Sequence, residues 1–171
     1  EVVIGGFDFL DDWMIRGELS NALPKLFVRN LKSNKEEELK FTDEKVCSPA
    51  VAGMQKETNT DNVYISYSSP KSNAQSYIYN LKTKEKKFVK EQKVLDKNYS
   101  PKNYITERVE CKSHDGRLIP LTITRHKNTK IDGTANVLLY GYGSYGNSLS
   151  FGFSNTRLSL LNRNIIWCDA S

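Results

Sequence analysis

Two stretches fifty residues apart repeat one pattern, and that repetition limits the folds open to this chain more than any other feature. Leu26-Phe27-Val28-Arg29-Asn30-Leu31-Lys32-Ser33 and Ser76-Tyr77-Ile78-Tyr79-Asn80-Leu81-Lys82-Thr83 each carry an apolar strand into Asn-Leu-Lys-(Ser/Thr). Each then passes through a polar turn into a charged strand, Glu36–Phe41 or Lys84–Val89. Upstream of each hairpin lies a further strand with an aromatic residue, Trp13 and Tyr64. A period of about 40–50 residues in β-type sequence marks propeller blades, in which each four-stranded sheet buries its faces against its neighbours. A single β-sandwich with two similar hairpins is the alternative.

Strands punctuated by turn residues fill the first hundred positions, with almost no 3.6-residue periodicity. They are expected at Phe7–Leu10, Trp13–Leu19, Lys25–Leu31, Glu37–Phe41, Asn62–Ser68, Gln75–Leu81 and Lys86–Glu91. Ser100-Pro101 ends the repeat. Two longer strands follow, Tyr104–Lys112 and Leu118–Arg125, joined through Asp115-Gly116, a strong hairpin signal because glycine reaches positive φ at little cost. His114 falls in that turn and His126 closes the second strand, so both read as structural rather than catalytic. Asn136–Tyr140 is a short apolar run suited to a buried strand; a glycine loop follows. Leu158, Leu161 and Ile165 then have helical spacing, and Ile165–Cys168 is a second apolar strand. Strand, loop, helix and strand predict a βαβ unit and an α/β second half.

Charge and cysteine usage narrow the function classes. Net charge is +5 over 171 residues, with +1 from residues 1–100 and +4 from residues 101–171, too thin an excess for a nucleic-acid surface. The densest basic run, Lys82–Lys90, mixes lysines with Glu85, Phe88 and Val89 as an exposed strand would, lysine guarding a sheet edge. No apolar run approaches the ~20 residues that cross a bilayer as a helix, so no membrane partner is expected. Cys47, Cys111 and Cys168 form no Cys-x-x-Cys pair, and an odd number leaves a thiol over, which fits a reducing, cytoplasmic setting. With only two histidines beside them, neither a metal nor another cofactor is expected. The chain begins Glu1-Val2-Val3-Ile4 without an initiator Met or a leader segment, so the gene product is expected to start upstream.

Gly141-Tyr142-Gly143-Ser144-Tyr145-Gly146 is the one loop with chemical potential. It matches Gly-x-Gly-x-x-Gly after a strand, and Asp169 follows the next strand where a ribose-binding acid would stand, so a dinucleotide-binding βαβ unit is one reading. Against it, Asn147–Phe153 continues as irregular loop where a phosphate-binding helix should open. Nor is there a nucleophile elbow: Ser144 has Tyr142 where Gly-x-Ser-x-Gly requires its first glycine, and Ser154 has Thr156 in place of the last. The loop could instead support an active site without supplying its nucleophile. Tyr142, between two glycines that free the backbone to turn it inward, could donate a hydrogen bond to an oxyanion, or could be an aromatic packing residue.

Three segments together resemble the prolyl oligopeptidase family of serine peptidases, and within it the oligopeptidase B (protease II) branch. They are Ser113-His114-Asp115-Gly116-Arg117-Leu118-Ile119-Pro120-Leu121, Leu138–Gly146 and Phe153–Leu161. Tyr64–Pro70, Tyr77–Leu81 and Asn103–Arg108 are similar to that family's last blades and crossover, which extends the likeness over the chain. The resemblance implies a mixed architecture: residues 1–100 as about two C-terminal blades of a β-propeller, and residues 101–171 as the start of an α/β-hydrolase peptidase domain. It implies a serine-type peptidase that cuts peptides after Arg or Lys by acyl transfer, with Tyr142 stabilising the oxyanion. The family's serine elbow, aspartate and histidine lie downstream of the matched segments, and Asp169-Ala170-Ser171 stands where Arg-Gly-Gly-Gly-Glu is expected. A segment inactive by itself is therefore expected, with a peptide substrate only when a complementary polypeptide completes it. The competing class is a non-catalytic remnant or interaction module.

Overall fold

Residues 2–53, 57–149 and 151–171 are described by the computed structural model. Glu1, and Ser150 within the expected irregular loop, lie outside them. The first hundred residues form two antiparallel meanders. One joins β1 (Val2–Phe9), β2 (Trp13–Ser20), β3 (Leu23–Asn30) and β4 (Glu36–Glu38) in chain order; the other joins β5 (Ala50–Val51), β6 (Asn62–Tyr67), β7 (Gln75–Asn80) and β8 (Lys86–Glu91). These are blade-like sheets, as the fifty-residue period implies.

The repeat is reproduced at the level of single hydrogen bonds. The Asn30 carboxamide accepts from the backbone N–H of Lys32 and Ser33, and that of Asn80 accepts from Lys82 and Thr83. Asn34 and Lys84 both adopt the left-handed region (φ 60° and 63°) and donate to the carbonyls of Asn30 and Asn80. Asparagine recurs there because its short side chain caps the turn's free N–H groups. Upstream, Trp13 pairs with Asn30 and Asn62 with Asn80, so Asn62, not Tyr64, is the counterpart of Trp13.

Alternation along each strand sends one set of apolar side chains into a core shared by the two sheets. Ile15, Leu26, Val28, Leu39 and Phe41 from the first meet Val63, Ile65, Tyr67 and Leu81 from the second. Polar bonds tie the same seam: the Trp13 indole N–H donates to Asp61 at 2.7 Å, and the Asp11 N–H to the Thr58 carbonyl at 3.0 Å.

The expected mixed architecture is not what forms. Residues 101–171 make a third four-stranded sheet in the order β11-β12-β10-β9, from β9 (Tyr104–Lys112), β10 (Leu118–His126), β11 (Val137–Gly141) and β12 (Ile166–Ala170). Two of its three pairings are antiparallel; only β11 and β12 run parallel. The single α-helix among the described residues, α1 (Asn155–Leu161), has seven residues. One short helix beside a largely antiparallel sheet is not the helix-covered parallel layer of an α/β fold, and no α/β-hydrolase part is present among the described residues. The fold is nearly all-β. The apolar spacing at Leu158, Leu161 and Ile165 overstates the helix, because Asn164 turns to φ 60° and sends Ile165 out of it. The Asp115-Gly116 hairpin, with Gly116 at φ 84°, fixes β9 against β10 as the sequence predicts.

Apolar side chains remain open on two outer strands: Val2, Val3, Ile4, Phe7 and Phe9 on β1, and Val137, Leu138, Leu139 and Tyr140 on β11. The weight of the fold rests instead on the seam between the meanders. Ile65, fully buried there, should lose about 2–5 kcal/mol on truncation to alanine. Urea unfolding followed by tryptophan fluorescence checks this; a loss below about 1 kcal/mol would place the core elsewhere.

Candidate functional site

The glycine loop leaves the third sheet at its outer strand. Gly141 is the last residue of β11, paired with Ala170, and Tyr142 follows it half-exposed. A single 3-10 turn spans Ser144–Gly146, with Tyr145 at φ 58° and Gly146 at φ 70°. Left-handed backbone is thus placed at Tyr145 and Gly146, not at the glycines flanking Tyr142, so the mobility argued for Gly141 and Gly143 is not what shapes the loop. No helix opens at Gly146. The next one begins at Asn155, where the Ser154 hydroxyl caps it by accepting from the Arg157 N–H at 3.4 Å. A phosphate therefore has no ring of helical N–H groups to meet, and Asp169 is buried rather than available to a ribose. Both observations weigh against a dinucleotide site.

Beneath the loop lies a buried polar layer that sequence patterning alone does not reveal. Register places Arg108, Thr122, Asp169 and Tyr140 in one row across β9, β10, β12 and β11, and directly paired residues share a face. The Asp169 carboxylate accepts from the Trp167 indole N–H at 2.7 Å. From α1, the Arg157 guanidinium lies 3.8 Å from the other Asp169 oxygen, stacks over the Trp167 ring at 4.8 Å and donates to the Gly152 carbonyl at 3.4 Å. On the other side, Arg108 donates to Thr122 Oγ1 at 2.6 Å and to the Asn21 carbonyl of the first sheet at 2.7 Å, and lies over the fully buried Phe151 ring. The loop's far end is thus held between two arginines. The signal that could have found this layer is an aspartate directly after the apolar run Ile165–Cys168, twelve residues after an arginine on the buried side of a helix.

Burial dominates its electrostatics. It pushes the Asp169 carboxyl above the usual carboxylate range, opposed by the Trp167 hydrogen bond and the Arg157 charge, and it pulls the Arg157 guanidinium below its ordinary value. Desolvation therefore outweighs the attraction between the two, as expected for an ion pair without a direct hydrogen bond.

The remaining candidate residues take structural places. His114 is exposed in the hairpin turn; His126 packs edge-on against Tyr104 at 5.6 Å and accepts from the Asn128 N–H. Cys47 is half-buried, Cys111 exposed and Cys168 buried, all three as free thiols. No group of three metal-ligating side chains converges among the described residues. In the basic run, Lys84 pairs with Glu37 at 2.7 Å across the two sheets, and Lys86 donates to the Phe41 carbonyl. Among the described residues no helix is long and apolar enough to cross a membrane.

No family model matches the chain. It is, however, 36% identical over 171 residues to dipeptidyl aminopeptidase BI of Pseudoxanthomonas mexicana, a match covering 99% of this chain and 23% of that protein. To Protease 2 of Moraxella lacunata it is 27% identical over 164 residues, covering 96% of this chain and 23% of the other. Its fold matches oligopeptidase B from Leishmania major with a TM-score of 0.88 at 21% identity, over 99% of this chain and 24% of that one. The chain belongs to the prolyl oligopeptidase family. It spans about a quarter of the length of these prolyl oligopeptidase relatives. Its three sheets are thus a family segment containing propeller-like blades, and the Tyr142 loop and its polar layer belong to that segment.

Two outcomes check this description. Burial pushes the Cys47 thiol up to about 11, so at pH 8 a maleimide should label Cys111 rapidly and Cys47 only on unfolding; rapid modification of all three in the folded protein would contradict it. Because the native Asp169 carboxyl titrates above its ordinary value, the native state holds a proton that the unfolded chain releases. Stability should therefore fall as pH rises from about 4 through the raised native value, and Asp169→Asn should remove that part of the slope. Urea midpoints from pH 4 to 7 for both proteins would show it; parallel curves would count against the buried charge.

Proposed function

We propose that the chain supplies propeller blades and the oxyanion-donor loop of a serine oligopeptidase, with a boundary near residue 100. The Tyr142 hydroxyl would stabilise the tetrahedral oxyanion during acyl transfer. The observation that carries this is the placement of Tyr142: it is half-exposed just after β11, on a loop whose far end carries the fully buried Phe151 and is held by two arginines. An oxyanion donor needs that combination of an accessible hydroxyl and a pre-organised support. A donor alone performs no covalent chemistry, and no serine in these 171 residues has the elbow pattern. The nucleophile and its base would come from a complementary part of the peptidase. The open apolar strands β1 and β11 support such a neighbour.

Two substrate readings follow from two likenesses. The resemblance of its sequence segments to the oligopeptidase B branch supports cleavage of peptides after Arg or Lys, and the similarity to Protease 2 supports a peptidase. The higher identity to dipeptidyl aminopeptidase BI supports release of dipeptides from a free N-terminus. Three free thiols, one of them exposed, suit a reducing cytoplasmic setting for either.

The 171-residue chain alone should release no dye from Arg- or Lys-linked peptide substrates. Assembled with the remainder of the peptidase, it should do so in a manner blocked by a serine-directed inhibitor. Comparing N-terminally blocked and free substrates separates the two substrate readings. In the assembled enzyme Tyr142→Phe should lower kcat by about 100-fold with little change in KM; an unchanged kcat would remove Tyr142 from the chemistry.

A further inference from the structure

Native interiors pair nearly all their buried polar atoms, so a concentration of unpaired ones asks for an explanation. Among the described residues, seven buried side-chain polar atoms lack a hydrogen-bond partner, and one of these, Arg16 Nε, lies in the first sheet. The other six, Thr106 Oγ1, Arg108 Nε, Thr124 Oγ1, Arg157 Nε, Asp169 Oδ2 and Ser171 Oγ, belong to the third sheet, to Ser171 directly after β12 and to α1. Stability alone does not account for this layer, because well-packed apolar residues in place of a buried ion pair are often as stable or more so. Breaches of packing rules concentrate where function requires them.

We propose that Arg157 is a positioning residue for Tyr142, acting through the ends of the loop that carries it; this rests on the reading of Tyr142 as the oxyanion donor. One route runs through the sheet. Arg157 lies on Trp167, whose ring is 6.2 Å from that of Tyr140, and Tyr140 is paired with Asp169 two residues before Tyr142. The other runs through the loop's far end, where Arg157 donates to the Gly152 carbonyl next to the buried Phe151. A planar guanidinium can stack on the indole and face a carboxylate and a carbonyl at once, which an ammonium cannot do with fixed geometry. Asp169 and Trp167 fix its orientation; Arg157 touches no reacting group itself.

A double-mutant cycle in the assembled peptidase tests this. Arg157→Met should lower kcat about tenfold with KM nearly unchanged when Tyr142 is present. In the Tyr142→Phe background the same substitution should have no further effect, since only a hydroxyl can be mispositioned. Arg157→Lys should recover part of the loss, and it carries the same cycle if Arg157→Met yields no folded enzyme, with melting temperatures recorded for every variant. Equal losses in both backgrounds, or no loss in either, would overturn the inference while leaving Tyr142 in its role. A Tyr142→Phe enzyme with full kcat would overturn the oxyanion reading, and the positioning role with it.

Discussion

Burial of the two meanders' apolar faces against each other is the interaction on which the rest of this structure depends. A four-stranded meander has one face it can hide only against a second sheet, and here Ile15, Leu26 and Val28 find Val63, Ile65 and Tyr67. Full burial of such side chains contributes about 1.5–3 kcal/mol each, against a polar seam whose net bonds are worth about 1 kcal/mol apiece. The Trp13 indole bond to Asp61 therefore sets the register of one sheet on the other more than it holds them together. Once that register exists, Lys84 and Glu37 face each other across the two sheets, and the Arg108 bond to Asn21 separately ties the third sheet to the first.

The third sheet is built on a different principle. Its small apolar cluster, Tyr104, Leu158 and Leu161 with Tyr99, Phe153 and Trp167 around it, covers one end. Under the Tyr142 loop the layer is polar, with an aspartate and two threonines buried and two arginines partly buried beside them. Such a layer is stiff and intolerant of substitution, since removing one partner leaves another buried and unpaired. Arg108 extends it to the first sheet by binding Asn21 in a two-residue turn where both Asn21 and Ala22 take left-handed backbone (φ 52° and 59°). Ala22 is strained there, and the turn holds its shape through the strands that flank it.

Most of the strand pattern was legible because it rests on local chemistry. The repeated Asn-Leu-Lys turn, β9 with its predicted bounds and the Asp115-Gly116 hairpin all follow from turn residues and period-two alternation. β5 escaped notice because two residues, Ala50 and Val51, carry no period. The expected α/β half failed for a related reason. A strand, a loop and a helical spacing identify a local unit, which does form between β11 and β12, but do not say what covers the sheet. One seven-residue helix cannot cover it, and antiparallel β9 and β10 complete it instead. Matching Trp13 to Tyr64 failed because aromatic character is shared without register; backbone pairing aligns Trp13 with Asn62.

By itself the sequence determined where strands begin and turn, that the first hundred residues are a doubled unit, and that Tyr142 emerges from a glycine-bearing loop. These depend on φ preferences, side-chain alternation and short-range hydrogen bonds, all of which act within a few residues. Tertiary structure alone decided that the sheets are three and nearly all-β, and that Arg108, Phe151, Arg157, Trp167 and Asp169 share one buried layer beneath that loop. Arg108 and Asp169 are sixty-one positions apart and share one row only because β10, with Thr122, lies between their strands. What a buried charge costs, and what it can hold in place, is set by neighbours that the chain brings together only on folding.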